Sequence, residues 1–211
     1  MKSEGILIVV SGFSGAGKGT LMKKLVSEYA DYALSVSATT RAPRKGEENG
    51  REYFFIDKAA FEEWIAADRL IEYTCYCDNY YGTPRDYVER QLKEGRDVIL
   101  EIEIQGALNI KKQYPTALLL FVMPPSIAEL EHRLTARGSE SPEVVAKRLL
   151  RAVEEAKGIE EYDYIVVNDD LETCVKQLHE IIKAAHNKPS RNGAFIEQIR
   201  NELVDLVKGE K

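Results

Sequence analysis

An apolar run that leads directly into a glycine-rich loop constrains this chain most. The run Ile6–Val10 is followed by "SGFSGAGKGTL", and a helical pattern continues from Lys18. Gly12, Gly17 and Lys18 have the G-x-x-x-x-G-K spacing of a loop that binds nucleotide phosphates. Glycines let backbone N–H groups converge on phosphate oxygens, and the helix N-terminus and the lysine add positive charge. The order strand, loop, helix therefore predicts a nucleotide-binding α/β fold.

The loop departs from the usual pattern at one position. Gly19 stands where Ser or Thr would place a hydroxyl on magnesium, and Thr20 follows one residue later. The phosphate cradle does not need that hydroxyl, because Mg²⁺ readily keeps several waters and can be held by the phosphates themselves. We therefore expect a working variant without an assigned protein ligand to the metal. Glu101 and Glu103, at the end of a central strand, are the candidate acids nearby.

Short apolar runs alternate with helical patterns along most of the chain. The predicted strands are Ile6–Val10, Leu34–Val36, Val98–Ile102, Leu118–Val122 and Ile165–Val167. The predicted helices are Lys18–Tyr29, Gln105–Gln113, Ser126–Ala136, Pro142–Lys157 and Leu171–His186. Most of the apolar runs are continuous, which is typical of parallel strands covered on both faces. The alternation predicts an open, mostly parallel α/β sheet of five strands.

Two segments do not fit this core. Residues 37–92 are rich in Tyr, Arg, Glu and Gly, with mixed strand and turn signals, so we expect an inserted lobe. A polar break begins at "RGSES" and predicts a small lid at about residues 137–150. The core domain then comprises residues 1–36 and 93–186.

The C-terminal residues 187–211 are predicted to form a linker and an amphipathic helix. "NKPSRNG" contains proline and glycine and no apolar side chain, as expected of a linker. After it, apolar residues recur every fourth position, at Phe195, Ile199, Leu203 and Val207. We expect this helix to pack on the body or on a second copy, so that the protein is a monomer or a homodimer.

Composition excludes several classes of partner. The net charge of −6 argues against a nucleic-acid-binding protein, which usually carries a basic patch or stripe. No apolar stretch approaches the roughly 20 residues of a membrane span, so we expect no membrane partner. Cys75, Cys77 and Cys174 form neither a disulfide framework nor a zinc pattern. We therefore expect a cytoplasmic protein.

Arginines and tyrosines cluster at the start of the predicted lobe. Arg41 and Arg44 lie three residues apart, Tyr53 follows, and Tyr81 lies further along. Guanidinium groups match phosphate oxygens bidentately, and tyrosine hydroxyls complete such sites without adding charge. Charge runs are also common on solvated surfaces. These residues alone are compatible with either a phosphate-binding site or a solvated surface loop.

Several motifs in this order are similar to those of guanylate kinases. They are "SATTRAPRKGEENGREY", "LIEYTCYCDNYYGTP", "VILEIEIQGA", "LTARGSESPEVVAKRL" and "YDYIVVNDD", and together they cover roughly residues 5 to 186. The resemblance implies a P-loop nucleoside monophosphate kinase fold with a GMP-binding lobe and a lid. It also implies transfer of the γ-phosphate of ATP to GMP, and to dGMP, with Mg²⁺ as cofactor.

The resemblance assigns a role to individual residues around the acceptor. The implied GMP-binding residues are Ser37, Arg41, Arg44, Tyr53, Glu72, Tyr81, Thr83 and Glu103. Of these, the arginines and tyrosines hold the phosphate, whereas Ser37, Glu72 and Thr83 read the guanine. Guanine presents N1–H and an exocyclic amine, and one carboxylate can accept from both. Adenine would leave that carboxylate unpaired, which favours GMP over AMP.

A second set of residues is implied for the donor and for catalysis. The implied ATP-binding residues are Gly12, Phe13, Ser14, Gly15, Ala16, Gly17, Lys18, Gly19, Thr20, Arg137 and Asn168. The implied catalytic cations are Lys18, Arg41, Arg137 and Arg148. Phosphoryl transfer depends mainly on alignment and on neutralisation of charge, which such cations supply. Two positions depart from the family pattern, since Gly19 replaces a usual Ser and Glu103 a usual Asp.

Two other functions are compatible with parts of the chain. One is a non-catalytic guanylate-kinase-like module that binds proteins, and the other is a kinase for a different nucleoside monophosphate. Retention of Lys18, the loop glycines and the lid arginines favours an enzyme over the module. Glu72 together with Thr83 favours guanine over other bases. An organised acceptor lobe disfavours a general P-loop NTPase.

Overall fold

The computed structural model describes residues 4–44, 46–76, 78–136 and 142–209. The strands are β1 (Leu7–Gly12), β2 (Tyr32–Leu34), β3 (Ala38–Thr39), β4 (Phe54–Phe55), β5 (Leu70–Tyr76), β6 (Asn79–Pro84), β7 (Asp97–Glu101), β8 (Leu118–Met123) and β9 (Tyr164–Val167). The helices are α1 (Lys18–Glu28), α2 (Lys58–Ala66), α3 (Arg85–Lys93), α4 (Ile104–Gln113), α5 (Ile127–Thr135), α6 (Pro142–Ala156), α7 (Leu171–His186) and α8 (Gly193–Gly209).

The central sheet has five parallel strands in the order β2-β7-β1-β8-β9, which confirms the predicted α/β core. Successive residues of β1 face opposite layers: Ile8 and Val10 join one core cluster, and Leu7 and Val9 join the other. Burial on both faces explains why these strands appear as continuous apolar runs. The glycine loop follows β1, so it leaves the middle of the sheet at the carboxyl ends of the strands, where ligands bind in open α/β folds.

The second strand lies earlier than predicted. The apolar run Leu34–Val36 indicated a strand, but β2 covers Tyr32–Leu34. The pairing with β7 decides its position, because Tyr32 lies opposite Asp97 and buries its ring beside α7. Its hydroxyl hydrogen-bonds His179 Nδ1 at 2.7 Å. A local run of apolar residues could not reveal this tertiary contact.

A second sheet, in the order β4-β3-β6-β5, lies within the segment predicted as an inserted lobe. Strands β5 and β6 are antiparallel, and α2 packs Phe61 against Ala38 and Leu70 in a small core of its own. The pairing of β5 with β6 places Glu72 opposite Thr83. This sheet therefore carries two of the three residues that the resemblance assigns to guanine, and the third, Ser37, immediately precedes β3.

Helix α8 presents its apolar face to solvent. Phe195 is 61% exposed and Leu203 is 58% exposed, and every residue from Glu197 to Lys208 belongs to the exposed class. The prediction that this face packs on the body is therefore wrong, and a contact with a second copy stays a prediction. Throughout the described ranges, every helix is too short or too polar to cross a bilayer.

Candidate active site

A cavity of about 380 Å³ lies between the glycine loop, the second sheet and α6. The predicted site residues that line it are Gly12, Ser14, Lys18, Ser37, Arg44, Tyr53, Glu72, Tyr81, Glu101, Glu103 and Arg148. Six further lining residues were not predicted: Thr74, Gly82, Ile102, Ile104, Arg151 and Glu155. The fold thus brings predicted donor-side and acceptor-side residues from Gly12 to Arg148 to one cavity.

The glycine loop curls around the side chain of its own lysine. Lys18 Nζ donates to the carbonyl oxygens of Gly12 at 2.7 Å and Phe13 at 3.2 Å. Gly15 and Gly17 have positive φ angles of 96° and 89°, which only glycine adopts without strain. The loop ends at Gly17, the N-cap of α1, which has no side-chain cap. The first N–H groups of α1 have no partner within the helix, so they are available to an anion.

The loop is also held by Asn168, which directly follows the edge strand β9. Its Nδ2 donates to the Ala16 carbonyl at 2.8 Å, and the side chain is buried. A Cβ at Gly17 would lie 2.4 Å from the same nitrogen, so this contact needs a glycine. Phe13 packs edge-on against Phe121 in the core. Among the predicted ATP-site residues, Asn168 therefore supports the loop, and Phe13 can offer only its backbone.

Glu101 occupies the space beside the missing hydroxyl. A Cβ at Gly19 would lie 3.9 Å from Glu101 Oε2 and 4.0 Å from Oε1. Burial raises the pKa of Glu101 above its ordinary value, and the positive charges of Lys18 and Lys23 oppose this rise. A single carboxylate suits Mg²⁺, which keeps waters and binds substrate phosphates. The described residues contain no cluster of three or more His, Cys, Asp or Glu that could hold a metal alone.

The end of the cavity on the second sheet is built around a buried carboxyl group. Glu72 is 6% exposed, and Oγ1 of the fully buried Thr83 donates to its Oε1 at 2.8 Å. Ser37 Oγ lies 3.5 Å from the same Thr83 oxygen. Burial raises the pKa of Glu72 to about 7; the Thr83 hydrogen bond opposes this rise and the charge of Glu103 adds to it.

The arginines of the lobe are organised by an acid that was not predicted as a site residue. Arg41 Nη2 donates to both carboxylate oxygens of Glu47 at 3.0 Å, and the Arg44 backbone N–H donates to Oε2 at 2.7 Å. The Arg41 guanidinium also lies 5.5 Å from the centre of the Tyr53 ring. Tyr53 meets Tyr81 edge to face at 6.0 Å. Only the spacing of Glu47, three residues after Arg44, could have indicated this role.

Glu103 is the N-cap of α4: its Oε1 accepts from Gly106 N at 2.9 Å and its Oε2 from Gln105 N at 3.1 Å. Its carboxylate therefore has a structural role at the rim of the cavity. Arg137, predicted for ATP binding and catalysis, lies outside the described residues.

Comparison with known proteins gives a consistent result. The guanylate kinase family model matches residues 4–185. A guanylate kinase of Caldanaerobacter subterraneus subsp. tengcongensis is 45% identical over 204 residues, covering 97% of this chain and 99% of that protein. One from Desulfitobacterium hafniense is 49% identical, covering 87% of this chain and 92% of that protein. The crystal structure of guanylate kinase from Anaplasma phagocytophilum has a TM-score of 0.75 at 33% identity, and the match covers 90% of each chain.

Proposed function

Since the chain belongs to the guanylate kinase family, we propose that its cavity holds GMP on the second sheet and the terminal phosphate of ATP on the glycine loop. The enzyme transfers the γ-phosphate of ATP to GMP and gives ADP and GDP, a step of purine nucleotide metabolism. The observation that carries the proposed geometry is the single cavity lined by both Lys18 and Glu72. Acceptance of dGMP is part of the same proposal.

Guanine is read by the ionised form of Glu72. As an anion this carboxylate accepts from the N1–H and the exocyclic amine of the base, while Thr83 keeps it oriented through its 2.8 Å hydrogen bond. Adenine presents an acceptor at N1 and leaves the buried carboxylate unpaired. Ser37, on the same wall of the cavity, contributes a further hydroxyl. Selectivity for guanine therefore rests on the desolvation of Glu72.

The GMP phosphate is held by Arg41, Arg44, Tyr53 and Tyr81. Glu47 keeps the Arg41 guanidinium in place, through both carboxylate oxygens, before the nucleotide arrives. Three of the four phosphate-binding residues line the cavity, and Arg41 stacks over the Tyr53 ring beside them. A rotation of the Arg41 fork from Glu47 towards the phosphate would complete the site.

The donor phosphates are held by the loop backbone, Lys18 and Arg148, with Arg137 as a further proposed contact. Mg²⁺, when bound, neutralises charge on the donor phosphates. Glu101 is the residue that would hold it, through water, because its carboxylate lies beside the position of the absent hydroxyl. Lys18 leaves the loop carbonyls to meet the γ-phosphate, and alignment of the two nucleotides then permits direct transfer.

A coupled ADP-release assay with ATP and magnesium tests this function. GMP and AMP are offered separately, and binding of GMP is measured in parallel by calorimetry. We expect turnover with GMP and at least about 1,000-fold lower kcat/KM with AMP, because the unpaired carboxylate penalises adenine. Preference for AMP would contradict the proposed role of Glu72. Binding of GMP without turnover would instead indicate a protein-binding module.

The KM for GMP is expected to fall by about tenfold as the pH rises from about 6 to about 8. Glu72 has a pKa of about 7 in the free enzyme, so it is largely protonated at the lower pH and cannot accept both hydrogen bonds. The GMP phosphate itself titrates near pH 6. Glu72→Gln, which keeps that titration, is therefore the control. Equal pH profiles for the two enzymes would contradict a titrating Glu72.

The oligomeric state is proposed to be a homodimer formed through α8. Its exposed apolar face includes Phe195, Leu203 and Val207, and exposed patches of this kind mark interaction surfaces. We expect light scattering to give twice the mass of one chain. Truncation after Asn192 should give a monomer while retaining the Arg191 hydrogen bond to the Gly5 carbonyl. Leu203→Glu is the matched full-length variant, and an unchanged dimer in either case would contradict the proposal.

The domain division and the cellular location are also proposed. The proposed domain division is a core of residues 1–36 and 93–186, a lobe of residues 37–92 and a lid at about residues 137–150. Residues 137–141 of that lid lie outside the described residues. This division agrees with a separate sheet inside the lobe segment. The cytoplasmic location is proposed from the three cysteines, which fit neither a disulfide framework nor a zinc site.

A further inference from the structure

Helix α6 brings more than Arg148 to the cavity. Arg148, Arg151 and Glu155 follow one another at intervals of three and four residues, so they lie on one face of the helix. All three line the cavity together with Lys18 and Glu101. The resemblance to known kinases assigned no role to Arg151 or Glu155.

Arg151 and Glu155 form an ion pair in which the acid is the more enclosed partner. Arg151 Nε donates to Glu155 Oε1 at 2.9 Å, and the side chains are 33% and 15% exposed. Glu155 Oε2 is buried and has no hydrogen-bond partner among the described residues. On the same helix, Glu154 pairs with Lys157 while 69% exposed. The Glu154 pair is a surface contact, whereas Glu155 belongs to the cavity wall.

Helix stability does not explain this placement of Glu155. Glu155 is the penultimate residue of α6, where the partial negative charge of the helix C-terminus disfavours an acid. An acid four residues after a basic partner is also the weaker order for an ion pair within a helix. Burial of an unpartnered carboxylate oxygen adds a further cost. The placement of Glu155 is costly for folding, and the residue faces the cavity. We therefore attribute this placement to the phosphoryl transfer reaction.

We propose that Arg151 is a further catalytic residue, which donates hydrogen bonds to the phosphate oxygens between ATP and GMP, and that Glu155 is the residue that positions its guanidinium. This inference rests on the proposed function. The bond from the γ-phosphorus to the ADP oxygen breaks and a bond to a GMP phosphate oxygen forms. Arg151 stays protonated throughout and supplies positive charge, together with Lys18 and Arg148.

Kinetics of Arg151→Gln test the first part of the proposal. We expect kcat to fall by about 10- to 100-fold, as for loss of a charge-assisted hydrogen bond in the transition state. KM for both nucleotides should change by less than about 3-fold, because the contact develops mainly during transfer. Arg151→Lys should restore part of the rate, since it keeps the charge and loses the fork. Lys147→Gln, which removes an exposed cation from the same helix, is the matched control.

A double-mutant cycle tests the positioning role of Glu155. Glu155→Gln should lower kcat by about 5-fold in the otherwise unchanged enzyme and have no further effect in the Arg151→Gln background. Glu154→Gln, which neutralises the neighbouring exposed acid, should leave kcat unchanged. Melting temperatures of all variants are measured alongside the kinetics, so that a loss of fold is distinguished from a loss of rate.

Three results would overturn the proposal. An unchanged kcat for Arg151→Gln removes its catalytic role, and an equal effect of Glu155→Gln in both backgrounds removes the positioning role. Lower rates and lower melting temperatures in all variants, including both controls, would assign the effect to α6 as a whole. The unsubstituted enzyme is assayed in the same series: if it does not phosphorylate GMP, the proposed function fails too, whereas normal turnover confines the failure to this inference.

Discussion

Replacement of Lys18 by methionine is expected to lower kcat for GMP phosphorylation by about 1,000-fold, the scale on which loss of a charged group at the transferring phosphoryl acts. The ammonium group already lies in the loop, 2.7 Å from the Gly12 carbonyl and at the wall of the cavity. Methionine keeps the length and the apolar stem of the side chain but has no charge. The fold of the loop, which Gly15, Gly17 and Asn168 hold in place, should be retained.

The measurement is kcat by ADP release, with GMP affinity by calorimetry as a second readout. GMP affinity should be unchanged within about 3-fold, because the proposed site for GMP is on the lobe and the proposed role of Lys18 is at the donor. Lys24→Met is the matched control. Lys24 lies on the same helix, and it forms ion pairs with Glu28 and Glu172 at the surface. Such pairs contribute little, so the control should lose less than about 2-fold. A loss below about 10-fold in Lys18→Met would contradict a role at the transferring phosphate.

Glu72→Gln is expected to lower kcat/KM for GMP by about 1,000-fold and to reduce the preference for GMP over AMP. A glutamine has one acceptor oxygen and presents an amide N–H₂ where the ionised carboxylate accepts. That N–H₂ repels the exocyclic amine of guanine and can pair with N1 of adenine. Kinetics with both nucleotides measure the effect. Glu63→Gln, at an exposed position of α2, is the control and should behave as the unsubstituted enzyme.

The same substitution is expected to stabilise the fold at alkaline pH. The pKa of Glu72 is about 7 in the folded chain, above its ordinary value of 4.5. The folded state therefore binds more protons than the unfolded state in that interval, and stability falls as the pH rises through it. Glutamine does not titrate and removes this dependence. The melting temperature of the variant, relative to that of the unsubstituted enzyme, should therefore increase from about pH 5 to about pH 8. A parallel loss of activity and of stability would contradict the assignment.

Together, these outcomes would separate binding from chemistry in the cavity. Lys18 should affect the rate and not GMP affinity, and Glu72 should affect GMP recognition with its own pH signature. Replacement of Arg151 should resemble replacement of Lys18 on a smaller scale, because Arg151 is proposed as a further contact to the same phosphates. A pattern in which all three substitutions changed only the melting temperature would indicate that the cavity is a structural feature.

The chain alone predicts the core well because the signals there are local. Continuous apolar runs indicate strands buried on both faces, and the glycine loop between β1 and α1 is recognisable from spacing. Helix α5 likewise begins within one residue of its predicted start, directly after its N-cap Ser126, whose Oγ accepts from Glu129 N at 3.1 Å. These features depend on neighbours within a few residues, so a sequence reading detects them.

Other features were decided only when distant segments met. Strand β2 begins at Tyr32 because Asp97 pairs with it across 65 positions, and Glu72 is buried because Thr83 and the first turn of helix α4, at Gly106, enclose it. The contact of Glu47 with Arg41 and the position of Arg151 at the cavity were not predicted, since charged side chains on a loop or a helix have the same local pattern whether they face solvent or a cavity. The sequence by itself determined the parallel α/β core, the phosphate-binding loop and the family. Tertiary structure decided which charges are desolvated, because desolvation depends on packing between segments far apart in the chain.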